Sequence, residues 1–142
     1  MAFNVLIVDD SFPMRSVIKK TIKVSGFKVG KIFDASDGKE ALSILREEWL
    51  DLVLTDYNMP GMNGLELLRE MKRDELLKSI PVIMVTTEGS EQRTKQFTEQ
   101  GCDDYIKKPF TPEEIRSKLN RIMGEPKDGE ECTENGDEDL DF

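Results

Sequence analysis

The stretch Val5-Leu6-Ile7-Val8-Asp9-Asp10-Ser11 runs four apolar residues straight into two carboxylates. An apolar run without alternating polar positions fits a strand buried on both faces, as in a parallel sheet covered by helices on each side. Leu52-Val53-Leu54 and Val82-Ile83-Met84-Val85 repeat the pattern, and weaker strand signals lie at 29–33 and 104–107. Between these runs, Met14, Val17, Ile18 and Ile22 recur at helical spacing. Leu42, Leu45 and Trp49 do the same, followed by Leu65, Leu68 and Met71, and later by Ile115, Leu119 and Ile122. A helix over about 90–100 has only Phe97 as a strongly apolar residue, so loose packing is expected there. Asn63-Gly64-Leu65-Glu66 and Thr111-Pro112-Glu113-Glu114 each pair a cap residue with a Glu three positions on, which can satisfy free amides reciprocally. Pro112 takes the first helical position, where its missing N–H costs nothing. Five strand-then-helix units read as an α/β protein with a parallel sheet.

The 142 residues have room for one domain and one core. Residues 1–124, the expected domain, hold 20 acidic and 19 basic side chains; residues 125–142 hold nine acids and only Lys127. The acidity therefore belongs to a tail, which has too few apolar residues to offset its ordering entropy and is expected to be disordered. A nearly neutral body argues against nucleic acid, whose phosphates demand a basic face. No apolar run approaches the roughly 20 residues of a membrane span, and Met1-Ala2-Phe3-Asn4 does not begin a secretory signal. Cys102 and Cys132 form no CxxC pair, so neither a disulfide framework nor a zinc site is expected, and a reducing cytoplasm is the simplest home. The chain has no His, which removes imidazole from every catalytic or metal-binding scheme.

In an open parallel sheet, ligands bind beyond the carboxyl ends of the strands. Asp9 and Asp10 follow the first strand, Asp56 ends the third, Thr86 the fourth, and Lys108 the fifth. Each alone reads as an ordinary solvated strand-end residue; together they describe one rim. Crowded carboxylates raise one another's pKa unless a cation neutralises them. Hard oxygen ligands without His or thiolate suit Mg2+. An Asp carboxylate is also a competent nucleophile toward phosphorus, giving an acyl phosphate. Phosphoryl transfer mostly needs positioning and neutralisation of the equatorial oxygens. Mg2+, the Lys108 ammonium and the Thr86 hydroxyl would each take one oxygen. Other residues have plainer readings: Trp49 as a core or edge residue of the second helix, Cys102 as a small buried residue, and Lys107 as a solvated neighbour.

The stretches VLIVDDS (5–11), LTDYNMPGMNG (54–64), VIMVTTE (82–88) and YIKKPFT (105–111) occur in this order across 1–124. They resemble the receiver domains of bacterial two-component response regulators, especially the stand-alone, CheY-like chemotaxis regulators. The resemblance implies a flavodoxin-like (βα)5 fold with strand order 2-1-3-4-5. It makes Asp56 the phosphoacceptor, with Asp10, Asp56 and the Asn58 carbonyl ligating Mg2+ and Asp9 acting largely through water. Thr86 and Lys108 would bind phosphoryl oxygens, and Tyr105 matches the aromatic switch that moves inward with Thr86. Asn58 and Glu88, two residues beyond Asp56 and Thr86, can orient an attacking water, which favours a short-lived signal. The Lys108-Pro109 peptide matches a bond that is often cis in the family.

The resemblance also implies a signalling protein rather than an enzyme, acting as a monomer. A histidine kinase would be its phosphodonor, and a flagellar motor switch protein or another output protein its target, with a phosphatase as a further partner. The expectation that output passes through a partner rests on the lack of an effector domain in the sequence. Two alternatives compete. A phosphorelay intermediate would pass its phosphoryl group to a His of a phosphotransfer protein. An Asp-nucleophile phosphohydrolase of the haloacid-dehalogenase kind ranks last, because Asp9-Asp10-Ser11 lacks the Asp-x-Asp spacing.

Overall fold

A computed structural model describes residues 2–87 and 89–124. The tail at 125–142 and Glu88 lie outside the described residues. The elements are β1 (Phe3–Val8), α1 (Phe12–Ser25), β2 (Val29–Ala35), α2 (Gly38–Glu47), β3 (Leu52–Asp56), α3 (Gly64–Arg73), β4 (Val82–Thr86), α4 (Glu91–Glu99), β5 (Asp104–Lys107) and α5 (Pro112–Met123). The strands form one parallel sheet in the order β2-β1-β3-β4-β5, the flavodoxin-like order expected from the resemblance.

Because side chains alternate along a strand, each apolar run feeds two cores. Leu6, Val8, Val53, Val82 and Met84 face Leu42, Leu45, Leu68, Met71 and Phe97 of α2, α3 and α4. Val5, Ile7, Leu52, Leu54, Ile83 and Val85 face Ile18, Ile22, Ile115 and Leu119 of α1 and α5. That double burial is why the strands lack polar alternation. The helix caps form as the sequence reads: Asn63 with Glu66 and Thr111 with Glu114 make reciprocal capping boxes.

Three expectations change. Trp49 is not a core residue: α2 stops at Glu47, Glu48 turns extended, and the Trp49 side chain is left 90% exposed. Val17, half exposed, sits about 100° round α1 from the buried Ile18, outside the core-facing stripe. Leu67 joins Leu65 and Leu68 in the core, so α3 buries a wider face than the expected stripe. In α4, Phe97 is the single buried residue, while Cys102 is buried and Lys107 exposed as expected. Among the described residues no helix is long and apolar enough to cross a membrane.

Candidate functional site

The parallel register brings the carboxyl ends of β1, β3, β4 and β5 to one rim. Asp9 leaves β1 with its amide still bonded to the Ala35 carbonyl at 3.1 Å, so its backbone remains tied to β2. Its carboxylate is 2% exposed and held at both oxygens. Oδ1 accepts from the Ser11 amide at 2.8 Å, and Oδ2 from Lys108 Nζ at 3.1 Å. Ser11 also caps α1, its hydroxyl accepting from the Met14 amide. Lys108 Nζ stands 3.6 Å from Asp56 Oδ1, so one ammonium serves two carboxylates donated by different strands. Asp10 is exposed, and one carboxylate oxygen from each of Asp9, Asp10 and Asp56 lies within 4.8 Å of the others.

The Asp56 carboxyl is shifted above the ordinary carboxylate range. Burial is the main cause, the Lys108 ammonium opposes it, and the Asp9 charge adds to it; the Asn58 and Tyr57 amides pull the other way. The cluster thus has hard oxygen donors, a partly buried Asp56 carboxyl and more carboxylates than the Lys108 ammonium beside them can neutralise. That combination fits a small divalent cation such as Mg2+.

The connection from Asp56 to α3 passes over a tight contact. A Cβ on Gly64, the first residue of α3, would stand 2.5 Å from the Asp56 carbonyl oxygen and 2.7 Å from Met84 Sδ. Only a glycine lets α3 begin that close to the site. Asn58 lies in this connection with its side chain exposed.

Thr86 ends β4, is fully buried, and accepts at its carbonyl from the Lys108 amide at 2.7 Å. Met84 is paired with Tyr105 across β4 and β5, and Thr86 with Lys107. Strand alternation therefore puts Thr86 and Tyr105 on the same sheet face. The Tyr105 ring is half-buried, with Lys118 Nζ 5.1 Å from its centroid. Lys118 and Arg121 of α5 both pair with Asp104. The Lys108-Pro109 peptide is cis.

Two groups next to the site escape a reading of the sequence. Arg15 of α1 donates from Nη1 to the Asp9 carbonyl at 2.6 Å and from Nε to Asp34 Oδ2 at 3.0 Å. Arg93 of α4 crosses the ring of Tyr57. Neither carries a motif, because the Asp9 carbonyl and Asp34 carboxylate that hold Arg15, and the Tyr57 ring under Arg93, become their neighbours only on folding. The one available signal for Arg15 was its place in the first turns of the helix that follows Asp9-Asp10.

The model of the response regulator receiver domain matches residues 5–120. Chemotaxis protein CheY-3 of Vibrio cholerae is 40% identical over 120 residues, covering 84% of this chain and 91% of its own. Chemotaxis protein CheY of Pseudomonas aeruginosa is also 40% identical, with 95% of its length matched. The phosphate regulon transcriptional regulatory protein PhoB of Pseudomonas aeruginosa is 38% identical over 84% of this chain. The chain spans about half of PhoB's length. Among solved structures, CheY4 of Vibrio cholerae superposes with a TM-score of 0.77 at 31% identity, covering 86% of this chain and 99% of its own. With its fold, its rim of strand-end residues and these matches in agreement, the chain belongs to the response regulator receiver domain family and is CheY-like within it.

Proposed function

We propose that this chain is a phosphorylation-dependent protein-binding switch, with Asp56 as the phosphoacceptor. The observation that carries the reading is the convergence of the Asp9, Asp10 and Asp56 carboxylates, with Lys108 Nζ 3.1 Å from Asp9 and 3.6 Å from Asp56. A carboxylate oxygen of Asp56 forms the new bond to phosphorus as the bond to the imidazole nitrogen of a histidine kinase's phosphohistidine breaks, the electron pair leaving on nitrogen. Lys108 neutralises a phosphoryl oxygen and Thr86 donates its hydroxyl to another, which draws Thr86 toward the site. Asp9, Asp10, Asp56 and the Asn58 carbonyl would hold Mg2+, which supplies charge neutralisation at the phosphoryl oxygens. Asn58 and Glu88 would orient the water that ends the signal.

The output proposed is binding of a flagellar motor switch protein, in a chemotaxis pathway in which a phosphatase shortens the signal. The 40% identity to two chemotaxis proteins over most of their lengths supports it. So does a groove of about 450 Å³ whose lining includes Tyr105, Lys107, Glu113, Glu114, Ser117 and Lys118, beside the proposed switch.

Incubation with Mg2+ and a small phosphodonor such as acetyl phosphate tests the chemistry. One base-labile phosphoryl group is expected on Asp56. Label that persists in Asp56→Asn, or is indifferent to chelation of the metal, rejects the assignment. Quantitative transfer of that label to a His of a partner, without a stable complex, would favour the relay reading instead.

A further inference from the structure

Asp9 and Asp10 are neighbours with unequal support. The Asp9 carboxylate is anchored at both oxygens, by the Ser11 amide and by Lys108. The Asp10 carboxylate is exposed, and no cation or donor among the described residues is paired with it. Its direction must therefore come from the backbone that carries it. The carbonyl of Asp9 and the amide of Asp10 belong to one planar unit, so whatever grips that carbonyl also orients the start of Asp10.

Arg15 is the grip. Its side chain is only 13% exposed, and Nη1 meets the Asp9 carbonyl at 2.6 Å. Nε meets Asp34 Oδ2 at 3.0 Å, and Lys19 reaches the same oxygen at 3.3 Å. A planar guanidinium that donates in two fixed directions ties the loop after β1 to the end of β2. Burial alone would raise the Asp34 carboxyl, but the hydrogen bonds and charges of Arg15 and Lys19 outweigh it and hold Asp34 ionised, below its usual range.

We infer that Arg15, oriented by Asp34, is a positioning residue for the cation site: it fixes the Asp9–Asp10 peptide so that the Asp10 carboxylate faces those of Asp9 and Asp56. The inference rests on the reading of that cluster as the Mg2+ site. Partners that orient metal ligands from behind are typically worth about 10–100-fold in affinity.

Charge and position predict opposite signs here. Removing a positive charge near a cation site strengthens cation binding, whereas losing the grip on Asp10 weakens it. The experiment is calorimetric titration of Mg2+ into the full chain, wild type beside Arg15→Gln, with urea unfolding run on both. The expected result is an affinity about tenfold weaker in Arg15→Gln at a concentration of urea where both are folded. Equal or tighter binding overturns the inference while leaving the cluster as the metal site. Absence of Mg2+ binding in the wild type overturns the cluster reading and this inference with it. Should Arg15→Gln fail to fold, Arg15→Lys carries the test, because it keeps the charge and loses the planar fork. Severalfold weaker binding is expected for it, and wild-type affinity rejects the positioning role.

Discussion

Arg93 of α4 lies across the ring of Tyr57, the residue that follows Asp56. Its guanidinium carbon is 4.4 Å from the ring centroid, and Nη1 donates to the phenol oxygen at 2.7 Å. Phe97 of the same helix also meets this ring, in a tilted arrangement with centroids 5.5 Å apart. A helix that buries one residue is thus tied to the backbone next to the proposed phosphoacceptor by a cation–aromatic contact, worth roughly 0.5–1 kcal/mol at an exposed site and more when desolvated.

Arg93→Ala is expected to lower global stability by no more than about 1 kcal/mol while loosening α4. Amide hydrogen exchange is the measurement. Faster exchange should appear across residues 91–99, with α5 unchanged; equal exchange in α4 would show that Phe97 alone holds the helix.

Gly64→Ala tests the close approach behind Asp56. The added methyl would meet the Asp56 carbonyl oxygen at 2.5 Å and the Tyr57 Cα at 3.0 Å, and backbone cannot rotate aside as a flexible side chain can. A destabilisation of about 1–3 kcal/mol, the usual range for overpacking, is expected in urea unfolding. The rate of phosphorylation by acetyl phosphate should fall as well, because the strand end that carries Asp56 must move.

Asp104 gives a pH dependence with a defined sign. Burial would raise its carboxyl, but Arg121, the Tyr105 amide and Lys118 outweigh that and hold it below the ordinary carboxylate range. A carboxyl whose folded pKa lies below its unfolded value contributes stability above the unfolded pKa and loses it as pH falls through the folded one. Asp104→Asn should therefore cost about 1–3 kcal/mol at neutral pH, the range for a hydrogen-bonded charged group. The gap to wild type should close as unfolding is repeated at progressively lower pH. A gap that stays constant into acid would assign the loss to packing instead.

Thr86→Ala probes the proposed coupling between the site and Tyr105. Thr86 and Tyr105 share a sheet face on adjacent strands, so a pull on one is felt beside the other. Coupling between sites is typically about 1–3 kcal/mol, so one lost link can erase most of it. The variant should still accept a phosphoryl group at Asp56. Its amide exchange over residues 104–123 should not respond to beryllofluoride, whereas that of the wild type should. Equal responses would remove Thr86 from the path.

Local pattern alone determined a good deal of this protein. Unbroken apolar runs ending in Asp9-Asp10, Asp56 and Thr86 fixed three strands buried on both faces, and the caps at Asn63 and Thr111 fixed two helix starts, because these depend on residues a few positions apart. The rim could be read from the same runs, since parallel strands place their ends together. What the tertiary structure decided are contacts between groups that no spacing connects: Arg15 on the Asp9 carbonyl, Arg93 over Tyr57, and Lys108 shared by Asp9 and Asp56 across a gap of 99 residues to the former. Trp49 shows the converse, since periodicity counted it as a helical core position after the backbone had already left the helix at Glu48. Periodicity records which way a side chain points relative to its neighbours in sequence; which partner waits there is set by the packing of elements distant in the chain.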